Sequence, residues 1–302
     1  MTPVVLGALA LLLAGPAPVL LARRAWPTRV PRAAIVLWQA LALSAVLAAL
    51  GAGLALGMDV LFRPQRGAVE IIVHSLVTAL TCVVAVRLVW AWAKVAIRTR
   101  SRRRRHRALV DLLARPDREL ARGDLTVPGI RILAEQTPFA YCLPGVRDSR
   151  VVVSSGALDQ LDSDELAAVL THELAHLRAR HDLVLEAFIA LREAFPRFVR
   201  SRTTLEQSRL LIEMLADDAA RRRVGAPPVA RALVTLAATS APTGGLAAGG
   251  HGTLARVRRM AEPAGSHRLL AAATYLAAAA LVVVPTVTIA IPWLNRLADL
   301  LP

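Results

Sequence analysis

The stretch "THELAHLRARHD", Thr171 to Asp182, holds three of the chain's seven histidines and two acids. His172 and His176 are four residues apart, so on a helix they project from one face a turn apart. That spacing lets two imidazoles meet one Zn²⁺ at about 2.0–2.1 Å, with Glu173 beside them as general base. A competing reading has the histidines simply hydrogen-bonded near a core. A catalytic zinc needs a third protein ligand and one position left open for water. The best candidate lies in "EMLADDAA", where Glu213 and Asp217 are again one turn apart. Two acids near the apolar face of Leu210, Leu211, Met214 and Leu215 are costly unless paired or ligating. With Glu213 on the metal, Asp217 can reach the free N–H of a ligand histidine and fix its tautomer. The alternative is a pair of ordinary ion pairs, to Arg209 and Arg221 at four-residue spacing. Asp218 reads as a solvated surface acid. His181 falls on the His172 face of a straight helix, about two and a half turns along. That is too far for a ligand, but it can line a substrate cleft.

These groups need rigid elements beneath them. Asp162 or Ser163 is placed as N-cap of the motif helix, with Asp164 and Glu165 in its first turn. Leu166, Val169, Leu170, Leu174 and Leu177 recur at helical spacing and form its buried stripe. Upstream, Ile130, Ile132 and Ala134 recur at the two-residue spacing of a strand, and Val151 to Ser154 is a short strand stopped by Gly156. The free edge of that second strand could accept a substrate strand. Downstream, a helix from about Leu183 breaks near Pro196, the next ends at Gly225, and another opens at Pro227 and Pro228. The Gly-rich "APTGGLAAGGHG" reads as a mobile connection. Together, 108–267 make one mixed domain of about 160 residues.

The rest is strongly apolar. Of 302 residues 55% are hydrophobic, while the formal net charge is +15. That combination indicates hydrophobic spans joined by cation-rich loops. Residues 3–22, 33–57 and 71–93 are three candidate spans, and a fourth opens the 268–302 segment. A signal peptide is the rival for the first, but no Lys or Arg precedes it. Gly51 to Gly57 offers small residues for close helix packing. His74 reads as interfacial, Arg87 as snorkelling, and Pro285 as a kink in the last span. Arg23, Arg24, Arg29 and Arg32, the basic juxtamembrane run 98–107, and Arg256 to Arg268 place the first loop and the large domain in the cytoplasm. Both termini then lie outside. The basic run has no interleaved aromatics, so membrane lipid is its expected partner and no direct nucleic-acid contact is expected. Cys82 and Cys142 read as two small buried thiols, with no disulfide framework. The few ionisable residues within the spans argue against a transporter or channel.

"HELAH" followed by "EMLAD" resembles the pattern of membrane-integrated gluzincin metallopeptidases. It is most similar to the antibiotic-sensor family of BlaR/MecR transducers (peptidase family M56), and the related HtpX/Ste24-type endopeptidases (M48) share much of it. "PFAYCLPGVRDSRVVVSSGALDQLDSDELAAVLTHELAHLRARHD" is similar to the family's strand–turn–strand–helix lead-in, and "RVRRMAEP" is familiar too. The resemblance implies a mainly α, multi-span helical membrane protein with a cytosolic α+β zincin domain inserted between spans three and four. It implies Zn²⁺ held by His172, His176 and Glu213, Glu173 as catalytic base, and Asp217 behind the ligands. The activity implied is endopeptidase, with a protein or peptide substrate. A transcriptional repressor cleaved in signalling is the first expectation. Clearance of membrane proteins, or a non-catalytic zinc-bearing signalling protein, are the alternatives. The transducers carry an extracellular sensor after the last span. This sequence ends at Pro302, so the expectation is a member without that sensor.

Overall fold

The structure is a computed structural model that describes residues 2–62, 67–116, 129–145, 148–195, 202–240, 250–263 and 265–298. The chain begins with α1 (Thr2–Ala14), α2 (Pro16–Ala22), α3 (Pro31–Phe62) and the long α4 (Ala68–Leu113). Four strands follow: β1 (Arg115–Pro116), β2 (Ile130–Leu133), β3 (Ala140–Leu143) and β4 (Arg150–Ser154). Then come α5 (Ser155–Gln160), α6 (Ser163–Arg178), α7 (His181–Ala194) and α8 (Arg202–Val224). The last helices are α9 (Ala226–Ser240), α10 (Gly250–Ala261) and α11 (Arg268–Ala298). Most of the Gly-rich stretch falls outside the described residues, and its last residues open α10. The chain divides into two units, Met1–Lys94 with Ala187–Ser208 and His267–Pro302, and Val95–Glu186 with Arg209–Ser266. Residues 187–208, between the two halves of the motif, thus group with the apolar helices.

Four helical stretches are long and apolar enough to cross a membrane: Pro3–Ala22, Pro31–Met58, Ala68–Leu113 and Arg268–Thr288. The first is not one continuous helix. Pro16 has no N–H and disfavours helical geometry in the preceding residue, and the helix breaks at Gly15 (φ −102°, ψ −92°). Leu13, Leu37, Leu41 and Ala278 form one core of this unit, drawing together α1, α3 and α11. Gly53 and Gly57 of α3 lie against α4 so closely that a Cβ on Gly53 would come 1.8 Å from Thr81 Oγ1. Small residues here allow backbone approach. α11 runs on through Pro285. A proline leaves the carbonyl four residues earlier without its amide donor, and the buried Ser44 hydroxyl of α3 donates to that carbonyl, Leu281 O. Arg87 does not simply snorkel. Its Nε donates to Ala194 O, at the C-terminal end of α7, at 3.2 Å. Cys82 is exposed on α4 and Cys142 is half-buried, so neither is the fully buried thiol expected, and both are free.

In the second unit the sheet order is β1-β2-β4-β3, with β2 and β4 parallel and the other pairs antiparallel. β4 is paired on both sides, so its edge cannot take a further strand; β3, the first strand of the lead-in implied by the family resemblance, is an outer strand. Val151, Val152 and Val153 form a continuous apolar run because both faces of β4 are covered. Val151 and Val153 pack with Leu170 and Leu174 of α6, while Val152 packs with Val110 and Ala114 at the end of α4. The basic run is continuous with the apolar helix before it and lies in the C-terminal half of α4. Within it Arg103 pairs with Asp182 (2.9 Å) and Glu186 (2.7 Å), and Arg107 donates to Asp148 O. Arg98, Arg102 and Arg105 stay exposed.

Candidate active site

α6 starts on a capping box. Asp162 accepts from the Glu165 amide at 2.8 Å, and Glu165 accepts from the Asp162 amide at 3.2 Å. Arg231 of α9 holds Glu165 at 2.7 Å and so ties the box to the next layer. Val169, Leu170 and Leu174 bury one stripe against the sheet, which turns the histidine face toward α8.

On that face His172 Nε2 and His176 Nε2 are 3.1 Å apart. Glu213 of α8 reaches both, Oε2 at 3.3 Å from His172 Nε2 and Oε1 at 3.6 Å from His176 Nε2. Ligand atoms about 2.05 Å from a tetrahedral ion are about 3.3 Å from one another. The two imidazole nitrogens and the two Glu213 oxygens, one facing each ring, therefore stand near the spacing zinc requires. They are also a group of His and carboxylate donors lying within 4.8 Å. Two imidazoles and one carboxylate with an open side are the donor set of a catalytic zinc site.

Behind the ligands, Asp217 is fully buried, and its Oδ1 lies 3.0 Å from His172 Nδ1. The remaining partner was not foreseen. Arg256 of α10 donates to both oxygens of Asp217 at 2.7 Å and reaches Glu213 at 3.1 Å. The i±4 alternative is absent here: Arg221 donates instead to Glu262 O. Asp218, read as a solvated acid, is gripped by Arg259 at 2.6 and 3.0 Å. Its sequence sign was the repeat of paired residues, Asp217 and Asp218 on α8 against Arg256 and Arg259 on α10.

His181 departs most from the straight-helix expectation. α6 ends at Arg178, Arg180 takes the left-handed conformation (φ +51°), and α7 begins anew at His181. The turn swings His181 back until its Nδ1 is 3.0 Å from His176 Nδ1. It is buried behind a ligand and does not line the cleft. Asp182 does sit at the helix junction, where Arg103 secures it.

The electrostatics follow from these contacts. Burial disfavours the charged imidazole of His172, but the Asp217 and Glu213 carboxylates outweigh it and raise its pKa to about 9. His176 is lowered to about 4, by burial and then by the His172 charge. Burial would raise both acids, yet His172 and Arg256 hold Glu213 and Asp217 at about 2. Glu173 goes the other way: burial raises it, partly opposed by His172 and by hydrogen bonds from the Cys142 thiol and amide on β3. A carboxyl raised from its usual range is what a general base near neutral pH needs. Burial and the Glu173 carboxylate push the Cys142 thiol up in turn. Glu173, His172, Glu213, Asp217, Ala140 and Arg256 line one cleft of about 300 Å³.

Residues 100–217, which contain both halves of this arrangement, match the family model of Peptidase family M48. This segment is similar to the M48 peptidases. The M48 segment ends at Asp217, so Arg256 lies beyond it. Curated relatives include the Protease HtpX homolog of Salinibacter ruber, 36% identical over 111 residues, 34% of this chain and 40% of the relative. The Protease HtpX homolog of Desulforapulum autotrophicum is 39% identical over 74 residues, 24% of each chain. Protease HtpX homolog 2 of Methanosarcina mazei is 39% identical over 69 residues, 22% of this chain and 24% of the relative. The chain thus spans between about a quarter and two fifths of the length of these relatives. No solved structure matches the chain. These likenesses lie on the M48, HtpX side of the sequence resemblance; the antibiotic-transducer side rests on the motifs alone. With four apolar helices beside the M48 segment, the chain is a multi-span membrane protein.

Proposed function

We propose that the chain is a membrane-integrated zinc endopeptidase that removes damaged or unassembled membrane proteins. The convergence of His172, His176 and Glu213 at 3.1–3.6 Å, with Glu173 beside them, carries this reading. Zinc bound there supplies Lewis acidity, bringing the pKa of water toward about 7. Glu173 takes the proton of the attacking water and returns it to the leaving amine, a contribution of about 10²–10⁴. Asp217, held by Arg256, keeps His172 in the tautomer that points Nε2 at the metal. The substrate backbone adds to β3, which has no second partner strand among the described residues and which touches Glu173 through Cys142.

The quality-control reading is preferred to cleavage of a cytosolic repressor because the relatives named above are HtpX proteases. The arginine-rich loops favour a cytoplasmic catalytic unit with both termini outside. Cleavage of an unfolded membrane protein by the purified chain, abolished by chelator and restored by zinc, is the expected result. Selective cleavage of a folded cytosolic repressor, with no cleavage of unfolded membrane proteins, would favour the signalling function instead.

A further inference from the structure

A histidine that binds zinc through one ring nitrogen presents an N–H at the other, and a fixed acceptor there sets ring orientation and tautomer. For His172 the acceptor is Asp217. His176 is served differently. Its only acidic partner among the described residues is Glu213, on the Nε2 side. Its Nδ1 instead faces Nδ1 of His181 at 3.0 Å, with the two rings nearly perpendicular at 83°. His181 is 6% exposed and has little room to turn. The left-handed Arg180 delivers it, and the next residue, Asp182, is locked by Arg103 at 2.9 Å.

We propose that His181 is a positioning residue for the ligand His176: its Nδ1 lone pair accepts the His176 Nδ1–H and so directs the His176 Nε2 lone pair at the metal. The proposal rests on the zinc reading above. It requires His181 to carry its own proton on Nε2. It also makes the two ligand histidines unequal, one backed by a carboxylate clamped to an arginine and the other by a neutral ring. A neutral acceptor adds no negative charge to the site, so the metal keeps more of its Lewis acidity.

The test compares the zinc affinity of the full chain in detergent for wild type, His181→Leu and His181→Asn, by competition with a chromophoric chelator. Leucine fills the volume with no acceptor, whereas the asparagine carbonyl stands close to the place of Nδ1. The expected outcome is a loss of about 10–100-fold for His181→Leu. His181→Asn should stay within about threefold of wild type, because an acceptor is retained. Cobalt substituted for zinc should show an altered visible spectrum in the Leu variant alone. Equal zinc affinity in wild type and His181→Leu overturns the proposal and leaves the zinc site standing. A wild-type chain that binds no zinc overturns both. Nitrogen NMR of the zinc-loaded wild type decides the matter should the Leu variant fail to fold. A proton on His181 Nε2 supports the proposal, and a proton on His181 Nδ1 contradicts it.

Discussion

Arg256→Met is the perturbation that most sharply separates a preorganised site from a loose cluster of polar groups. Its guanidinium makes two 2.7 Å bonds to Asp217, whose side chain is 0% exposed, and one 3.1 Å contact to Glu213. Methionine keeps much of the packing volume and removes the charge. Asp217 would then be a buried carboxylate with His172 as its remaining partner. Removing one member of a buried ion pair costs about 3–5 kcal/mol, because the other charge stays behind unpaired. Arg259→Met, whose partner Asp218 is 22% exposed, should cost about 1 kcal/mol. Asp217→Asn should be much less harmful in the Arg256→Met chain than in wild type, with a coupling of about 2 kcal/mol. Tryptophan fluorescence is the wrong probe, since Trp26, Trp38, Trp90, Trp92 and Trp293 all belong to the unit of apolar helices. Hydrogen exchange of the α8 and α10 amides reads the right unit. Zinc affinity should fall about 10–100-fold in the same variant. A loss below about 1 kcal/mol in α8 and α10, with additive effects of the two substitutions, would refute the buried-pair argument.

Further outcomes concern acidity and the spans. In the zinc-free protein, folding raises His172 from 6.5 to about 9, so its stabilising contribution is complete below pH 6.5 and is lost as pH rises through 9. Glu213 and Asp217, lowered to about 2, contribute above their usual range near pH 4 and lose that contribution as pH falls toward 2. Unit-specific hydrogen exchange against pH should show both limbs, with the alkaline one flattened by Asp217→Asn. Zinc uptake at pH 7 should release about one proton, which titration calorimetry in buffers of different ionisation heat will count. Ser44→Ala strands Leu281 O opposite Pro285 and should lower stability by about 1 kcal/mol. The thermal midpoint read by tryptophan fluorescence checks this last outcome, and an unchanged midpoint would mean that the hydroxyl is dispensable.

What could be read from the chain alone was the local part. The capping residue, the apolar stripe and the H-E-x-x-H spacing of α6 all lie within 17 residues, Asp162–Arg178, and each is decided by helix geometry. Glu213 and Asp217 were visible as acids on a helix face that had to be paired. Which cation pairs them was not visible, because Arg209 and Arg221 are near in sequence while Arg256 is brought near only by the fold. His181 was misplaced for a related reason. The left-handed turn before it falls on Arg180, not on the glycine or asparagine that usually announces one. β3 was legible only through the family resemblance, because "AYCL" is short and its strand character comes from pairing with β4.

The most direct test of the whole account is to purify Glu173→Gln beside the wild-type chain and measure zinc content and cleavage of an unfolded protein together. The account requires one zinc per chain in both, with cleavage in the variant reduced by about 10²–10⁴. A variant that loses its zinc, or that keeps cutting at the wild-type rate, would contradict Glu173 as the base of a zinc peptidase.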